Sequence, residues 1–317
     1  MITLHAPDGV GEVSPGDDLA ALLLASTDAC QDGDIVLVTS KVVSKAEGRI
    51  LTGTRDDALP GQTRRVVARR GPTVIVRNLL GLTMAAAGID ASNVEAGRVL
   101  LLPEDPDASA RRLRAAIRER TGVNVGVIVT DTAGRAWRTG QTDIAIGAAG
   151  IRVVEEFAGR TDAHGNPLLV TAPAVADELA GAAELASGKL GGRPFVVVRG
   201  RADLVLDAGE HGTGASVLIR AEGDDLFGYG AREAVRRAVS GDAADRAPFG
   251  PPLTADDLAA ELTETVAGLD VDRHGDEVEV RAPDAATAAR ARVLAYACGW
   301  QSEAGHPTRL RLRPATA

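Results

Sequence analysis

Runs of β-branched residues alternate with helical runs along the first 160 residues of this 317-residue chain. That alternation restricts it to a mixed α/β (α+β) domain and excludes a helix bundle or a β-sandwich. Pro15-Gly16-Asp17-Asp18 introduces an apolar helical run, Leu19 to Leu24, and Gly33-Asp34 then turns into the strand Ile35-Val36-Leu37-Val38-Thr39. Ser40 and Lys41 fall at the end of that strand, where open α/β sheets place ligand-binding groups. Arg64 to Arg70 pattern as an amphipathic helix, closed by Gly71-Pro72 before a strand from Thr73 to Val76. Asp105-Pro106-Asp107-Ala108-Ser109 enters a helix through Arg111 to Arg120, and the strand Val123 to Val129 follows. That strand delivers Thr130-Asp131-Thr132-Ala133-Gly134-Arg135. An acidic residue just beyond a buried strand, with glycine nearby, can hold a metal over a phosphate; aspartate is equally a favoured helix cap.

Further along, Thr171 to Gly188 carries helical spacing and Phe195 to Gly200 reads as another buried strand. Beyond it lies Ala208-Gly209-Glu210-His211-Gly212-Thr213-Gly214-Ala215, whose three glycines let backbone amides approach a polyphosphate. Glu210 is available there for a cation and Thr213 for a hydrogen bond. The chain has no Walker pattern, so a nucleotide site must be of another kind. After a helical run from Ala231 to Val239, residues 246–252 read as a proline-rich linker, which sets domains at 1–245 and 253–317. The second is a small α/β domain, with helices from Thr254 and over Ala285 to Ala297 and strands over Glu277 to Val280 and Thr308 to Leu312. Its His274 and His306 are isolated, as surface or turn histidines are.

Composition narrows the function. A net charge of −9 and 3% aromatic residues argue against nucleic acid as a partner. No apolar stretch is long enough for a membrane span, and the N-terminus lacks the layout of a signal peptide, so a cytoplasmic protein is expected. Cys30 and Cys298 are too few for a disulfide framework or a thiolate metal site. The 35 basic residues include only three lysines, Lys41, Lys45 and Lys189. In a chain so committed to arginine, two lysines within five residues suggest a compact, flexible charge suited to phosphate; chance survival on a surface is the other reading.

Several segments together carry a resemblance. They are Pro15-Gly-Asp-Asp-Leu-Ala20, Thr39-Ser-Lys-Val-Val-Ser-Lys-Ala-Glu-Gly-Arg49, Ala87-Gly-Ile-Asp-Ala-Ser-Asn93, Asp131-Thr-Ala-Gly-Arg-Ala-Trp-Arg-Thr-Gly-Gln-Thr-Asp143 and Val175-Ala-Asp-Glu-Leu-Ala180. Residues 1–245 thereby resemble the coenzyme F420-0:γ-glutamyl ligase family, also found as the N-terminal half of a larger bifunctional actinobacterial enzyme. The resemblance implies an intertwined homodimer, GTP as co-substrate, Mn²⁺ or Mg²⁺, and K⁺ as a further cation. It also implies the reaction: GTP phosphorylates a carboxylate of coenzyme F420-0, and the amine of L-glutamate attacks the acyl phosphate to form an amide, with GDP and phosphate released. Carried over by position, Val10, Gly11, Glu12, Val13, Ser40, Lys41, Lys45 and Gly134 surround the nucleotide, with Ala208, Gly209, Glu210, His211, Gly212, Thr213, Gly214 and Ala215 around its phosphates. Asp131 and Glu210 are the implied metal ligands, and Asp131 and Lys45 the implied catalytic groups.

Two departures qualify the resemblance. It implies an acidic metal ligand where this chain has Ala172 in Thr171-Ala172-Pro173. Either Asp162 or Asp177 substitutes, or metal binding is weakened. The bifunctional relatives also carry a flavin-binding C-terminal domain, for which 65 residues are too few. Two alternatives therefore stand beside the ligase: an amide ligase of the same mechanism with another substrate, and a non-catalytic homologue that binds nucleotide or deazaflavin.

Overall fold

The computed structural model describes residues 1–27, 30–92, 94–303 and 305–315. Asn93, the end of one of the matched segments, lies outside them. The chain divides into two compact units, one of Met1–Arg65 with Ile75–Ile219, the other of Val66–Val74 with Arg220–Ala317.

In the first unit the elements run β1 (Thr3–His5), α1 (Leu19–Ser26), β2 (Ile35–Thr39), α2 (Ser40–Ala46), β3 (Ile50–Thr52) and α3 (Arg55–Ala58). Two strands, β4 (Thr63–Arg70) and β5 (Thr73–Asn78), flank a hairpin tip that belongs to the second unit. Then come β6 (Thr83–Ala85), β7 (Arg98–Leu100), α4 (Pro106–Thr121), β8 (Gly126–Gly134), β9 (Gln141–Ala149), α5 (Val175–Ser187) and β10 (Phe195–Arg199). Five strands form one sheet in the order β1-β10-β2-β8-β9, in which only β2 and β8 are parallel. Short antiparallel pairs, β3 with β7 and β5 with β6, lie outside it.

The uninterrupted apolar runs of β2, β8 and β10 follow from helices on both faces of the sheet, because successive side chains point to opposite faces and all must then be buried. Val36, Val38, Val127 and Val129 pack on one side with Leu23 of α1 and Ile117 of α4. Ile35, Leu37, Ile128 and Val196 pack on the other with Val175, Leu179 and Ala183 of α5. Asp18 caps α1 and Asp105 caps α4, whose first residue is Pro106, where proline is tolerated.

Residues 64–70, expected as a helix, form strand β4 instead. Thr63, Val66 and Val67 are β-branched, and Gly71-Pro72 is a hairpin turn between two strands where a helix stop was expected. Asp131 likewise lies within β8, which continues to Gly134, and not beyond the strand end.

The second unit contains α6 (Ala231–Ser240), α7 (Ala255–Thr265), β11 (Asp270–His274), β12 (Glu277–Arg281), α8 (Ala285–Ala297), β13 (Trp300–Ser302) and β14 (Arg309–Pro314). Its four strands pair antiparallel in the order β11-β12-β14-β13. Leu258 and Leu262 of α7, Ala288 and Ala291 of α8, Val278, Val280 and Trp300 form its core. The longer segment of this unit begins at Arg220, upstream of the expected boundary, and the expected linker 246–252 holds a short 3-10 turn with Phe249 packed between Tyr229, at a tilt, and Tyr296, edge to face.

Gly147 of β9 reports how closely α4 approaches the sheet. A Cβ there would lie 2.4 Å from the carbonyl carbon and oxygen of Pro106. Gly147→Ala should therefore destabilise the first unit by about 3 kcal/mol, since backbone must move to admit the methyl. Urea unfolding followed by circular dichroism measures this, and a loss below about 0.5 kcal/mol would show that the approach is not tight.

Candidate functional site at the carboxyl ends of β2 and β8

The parallel register ends with Thr39 paired to Thr130, so the residues that follow this last pair, Ser40 and Asp131, lie side by side. Ser40, the first residue of α2, donates its hydroxyl to Asp131 Oδ1 at 2.7 Å, joining positions 91 apart in sequence. One face of α2 carries Lys41 and Lys45, four residues apart. Lys45 is buried and its ammonium meets the exposed carboxylate of Glu12, which brings the Val10–Val13 segment to the site. Lys41 Nζ lies 2.7 Å from Asp90 Oδ2 and 2.8 Å from Ser92 Oγ. Lys189 arrives from the C-terminal side of α5 and donates to Thr132 Oγ1 at 2.8 Å. All three lysines of the chain thus gather around the same end of β8.

The carboxylates here are unequal. Removal from water pushes Asp131 up to about 6; the Ser40 hydroxyl opposes the shift, and the nearby charges of Asp143 and Asp90 add to it. Asp143 is buried and accepts hydrogen bonds from Thr132 Oγ1 at 2.7 Å and Thr130 Oγ1 at 3.3 Å. Burial works to raise Asp90, but Lys41 and two donors from Ser92 outweigh it and hold that carboxyl below its usual range.

The loop 208–215 lies elsewhere. Buried Arg114 of α4 donates to Val125 O at 2.8 Å, to Asp207 O at 3.0 Å and to Glu210 O, which fixes the loop beside the start of β8. Asp107 closes its other end by accepting the amides of Ala215 and Ala148, both at 2.7 Å. Gly214 is required there, because a Cβ would lie 2.3 Å from the Asp107 carboxylate. Val125 precedes Asp131 by six residues, about 20 Å along a strand. Within one chain, then, Ser40, Lys41, Lys45, Glu12 and Asp131 come together, while Glu210 is held beside the start of β8 and Ala215 beside Ala148, across from Ile128. Among the described residues no group of three His, Cys, Asp or Glu side chains is placed to hold a metal ion.

Ala172 lies on an exposed stretch where the amides of Phe157 and Glu155 reach Thr171 O and Pro173 O, each at 3.1 Å. Neither proposed substitute is unengaged. Asp162 is tied into its own turn by the amides of His164 and Asn166 and by Asn166 Nδ2. Asp177 accepts the amide of Ala145 at 2.8 Å and is pushed up by burial. The sequence reading missed Asp90, Ser92, Asp143 and Lys189 as site residues. The rarity of lysine was the signal that pointed to Lys189, and Asp90 and Ser92 stood inside a matched segment with no role attached.

A buried parallel strand pair with a carboxylate, a serine and lysines at its carboxyl end is the arrangement in which open α/β sheets place ligand-binding groups. Residues 9–61 and 57–200 match the model of the F420-0:Gamma-glutamyl ligase family. The coenzyme F420:L-glutamate ligase of Methanopyrus kandleri is 40% identical over 237 residues, covering 68% of this chain and 93% of the relative. The enzyme of the same name from Archaeoglobus fulgidus is 42% identical over 215 residues (61% of this chain, 85% of the relative), and that from Haloarcula marismortui 39% over 256 (73% and 97%). The chain belongs to the F420-0:γ-glutamyl ligase family. Among the described residues no helix is long and apolar enough to cross a membrane.

The raised Asp131 has a consequence for stability. Between pH 4 and 6 the folded chain retains this proton while the unfolded chain releases it, so stability falls as pH rises through that window. Asp131→Asn, which keeps an acceptor for Ser40, should leave stability unchanged below pH 4 and raise it by about 3 kcal/mol above pH 7. Denaturant melts at the two pH values test it; equal stability at pH 7.5 would show that the carboxylate is not strained by its burial.

Proposed function

We propose that the protein is a ligase that joins L-glutamate to coenzyme F420-0, using GTP and a divalent cation. The observation that carries this reading is the convergence of Ser40, Lys41, Lys45 and Asp131 at one strand end in a chain of this family. Lys41 and Lys45 supply point charges suited to phosphate oxygens, and Ser40 orients the Asp131 carboxylate. Phosphoryl transfer asks the protein for position and charge more than for covalent chemistry, which fits a site of lysines and carboxylates without a nucleophilic cysteine. Asp131 fits one position on Mn²⁺ or Mg²⁺, since among the described residues its buried carboxyl has no ion-pair partner; a cation held there would supply positive charge against the transferred phosphoryl group. GTP phosphorylates the carboxylate, and the glutamate amine displaces phosphate from the acyl phosphate to leave an amide. Incubation with GTP, Mn²⁺, glutamate and F420-0 should give a product heavier by one glutamyl unit, formed with GDP. Asp131→Ala should slow this by at least about a hundredfold. GTP bound without turnover would favour the non-catalytic homologue, and another amide product would favour the ligase of different substrate.

One chain does not complete the cation site, because the Glu210 backbone is held beside Val125, which lies about 20 Å along the strand from Asp131. We propose a homodimer in which the loop of one copy meets Asp131 of the other. Asp131→Ala and Glu210→Ala proteins, each inactive alone, should on mixing recover about a quarter of wild-type activity, because each mixed dimer holds one intact site. No recovery under verified exchange would overturn the shared site, since both residues would then be needed within one chain.

Ala172 supplies no oxygen for the cation, and we propose that this weakens metal binding. Ala172→Glu should tighten Mn²⁺-dependent GTP binding about tenfold by calorimetry. An unchanged affinity would remove position 172 from the cation site.

A further inference from the structure

The segment from Ala86 to Ser92 is built at a cost that an ordinary surface turn does not bear. Ala86, Ala87 and Gly88 are consecutive left-handed residues, with φ of 48°, 58° and 78°, and two of the three are not glycine. The surrounding structure holds them there. Asn78, 3% exposed, donates to Ala87 O at 3.3 Å and accepts the amide of Leu82 at 3.0 Å. Gly88 sits where a Cβ would lie 2.7 Å from Leu102 Cδ1. Arg55 Nε donates to Ile89 O at 3.2 Å, and Asp90 exchanges backbone hydrogen bonds with Leu100 at 2.8 and 3.0 Å. Strain persists where surrounding contacts over-determine it, and here its product is the placement of two side chains.

Those side chains meet Lys41. Asp90 Oδ1 accepts the Ser92 amide at 2.7 Å, and Oδ2 accepts the Ser92 hydroxyl at 2.9 Å together with Lys41 Nζ at 2.7 Å. The Ser92 oxygen in turn accepts from Lys41 at 2.8 Å. A surface ion pair leaves a long side chain mobile; here two acceptors, themselves tied to each other, fix the ammonium. It is fixed one residue from Ser40, the donor to Asp131. An ammonium has three N–H bonds, and two of Lys41's are directed by Asp90 and Ser92. We propose that Asp90 and Ser92 are positioning residues that aim the third N–H of Lys41 at a phosphate oxygen of the nucleotide.

This inference rests on the nucleotide reading above, and its test separates the two. GTP is titrated by calorimetry into wild type, Asp90→Asn, Ser92→Ala, Ser92→Thr, Lys41→Met and the Asp90→Asn/Lys41→Met double variant, with Mn²⁺ and again in EDTA, where only the chain holds the phosphates. Asp90→Asn and Lys41→Met should each weaken binding about tenfold in both conditions, and the double variant should bind like Lys41→Met alone, since Asp90 acts through Lys41. Ser92→Ala should weaken binding and Ser92→Thr, which keeps the hydroxyl, should restore it. Thermal unfolding of Asp90→Asn and Ser92→Ala should stay near wild type. Wild-type binding with unchanged affinity in Asp90→Asn and Ser92→Ala overturns the positioning role and leaves the nucleotide reading intact. A double variant weaker than Lys41→Met by a further tenfold, with a lowered melting temperature, shows a merely structural role and also overturns it. Absence of GTP binding by the wild type overturns both readings together.

Discussion

The parallel pairing of β2 with β8 is the constraint on which the site depends. Antiparallel neighbours would send Thr39 and Thr130 to opposite edges of the sheet; parallel register sends both chains out on the same side. Ser40 then reaches Asp131 with no long side chain bridging a gap, and the following turn of α2 supplies its lysines to the same place. The apolar cores on both faces of these strands fix that register, since a slip by one residue would exchange the faces on which Val36 and Leu37 are buried.

Rigidity here serves charges that resist being together. Asp131, Asp90 and Asp143 crowd one strand end, and Asp131 shows the strain in its raised proton affinity. Lys41 relieves Asp90 and two threonine hydroxyls support Asp143, which leaves Asp131 as the carboxylate with the least compensation. Keeping one anion under-compensated in this way costs stability at pH values where it is ionised.

Much of this was legible in the sequence because buried strands and capped helices announce themselves locally. Ile35–Thr39 and Ala285–Ala297 match the elements read from their residues, and the lysine pair led to α2. Arg64–Arg70 failed because a short arginine-rich run fits a helical face as well as a strand, and only the turn at Gly71-Pro72 distinguishes them. β9 was overlooked: Gln141–Ala149 is rich in alanine and glycine, which carry little strand preference, and its place is set by the sheet. The separation of Asp131 from Glu210 was invisible for a different reason. Residue types and spacing record which loop follows which strand, whereas the end of the sheet at which that loop docks is decided by Arg114 and Asp107, two residues of a helix far upstream.

The gathering of every lysine at one end of β8 has a chemical corollary. Arginine does not behave as an amine nucleophile, so the chain offers primary amines only at its N-terminus and at Lys41, Lys45 and Lys189. Reagents that acylate amines, which on most proteins scatter over the surface, have here only the exposed N-terminus and these few lysines to reach, so the residue composition itself narrows a general chemistry to a handful of positions.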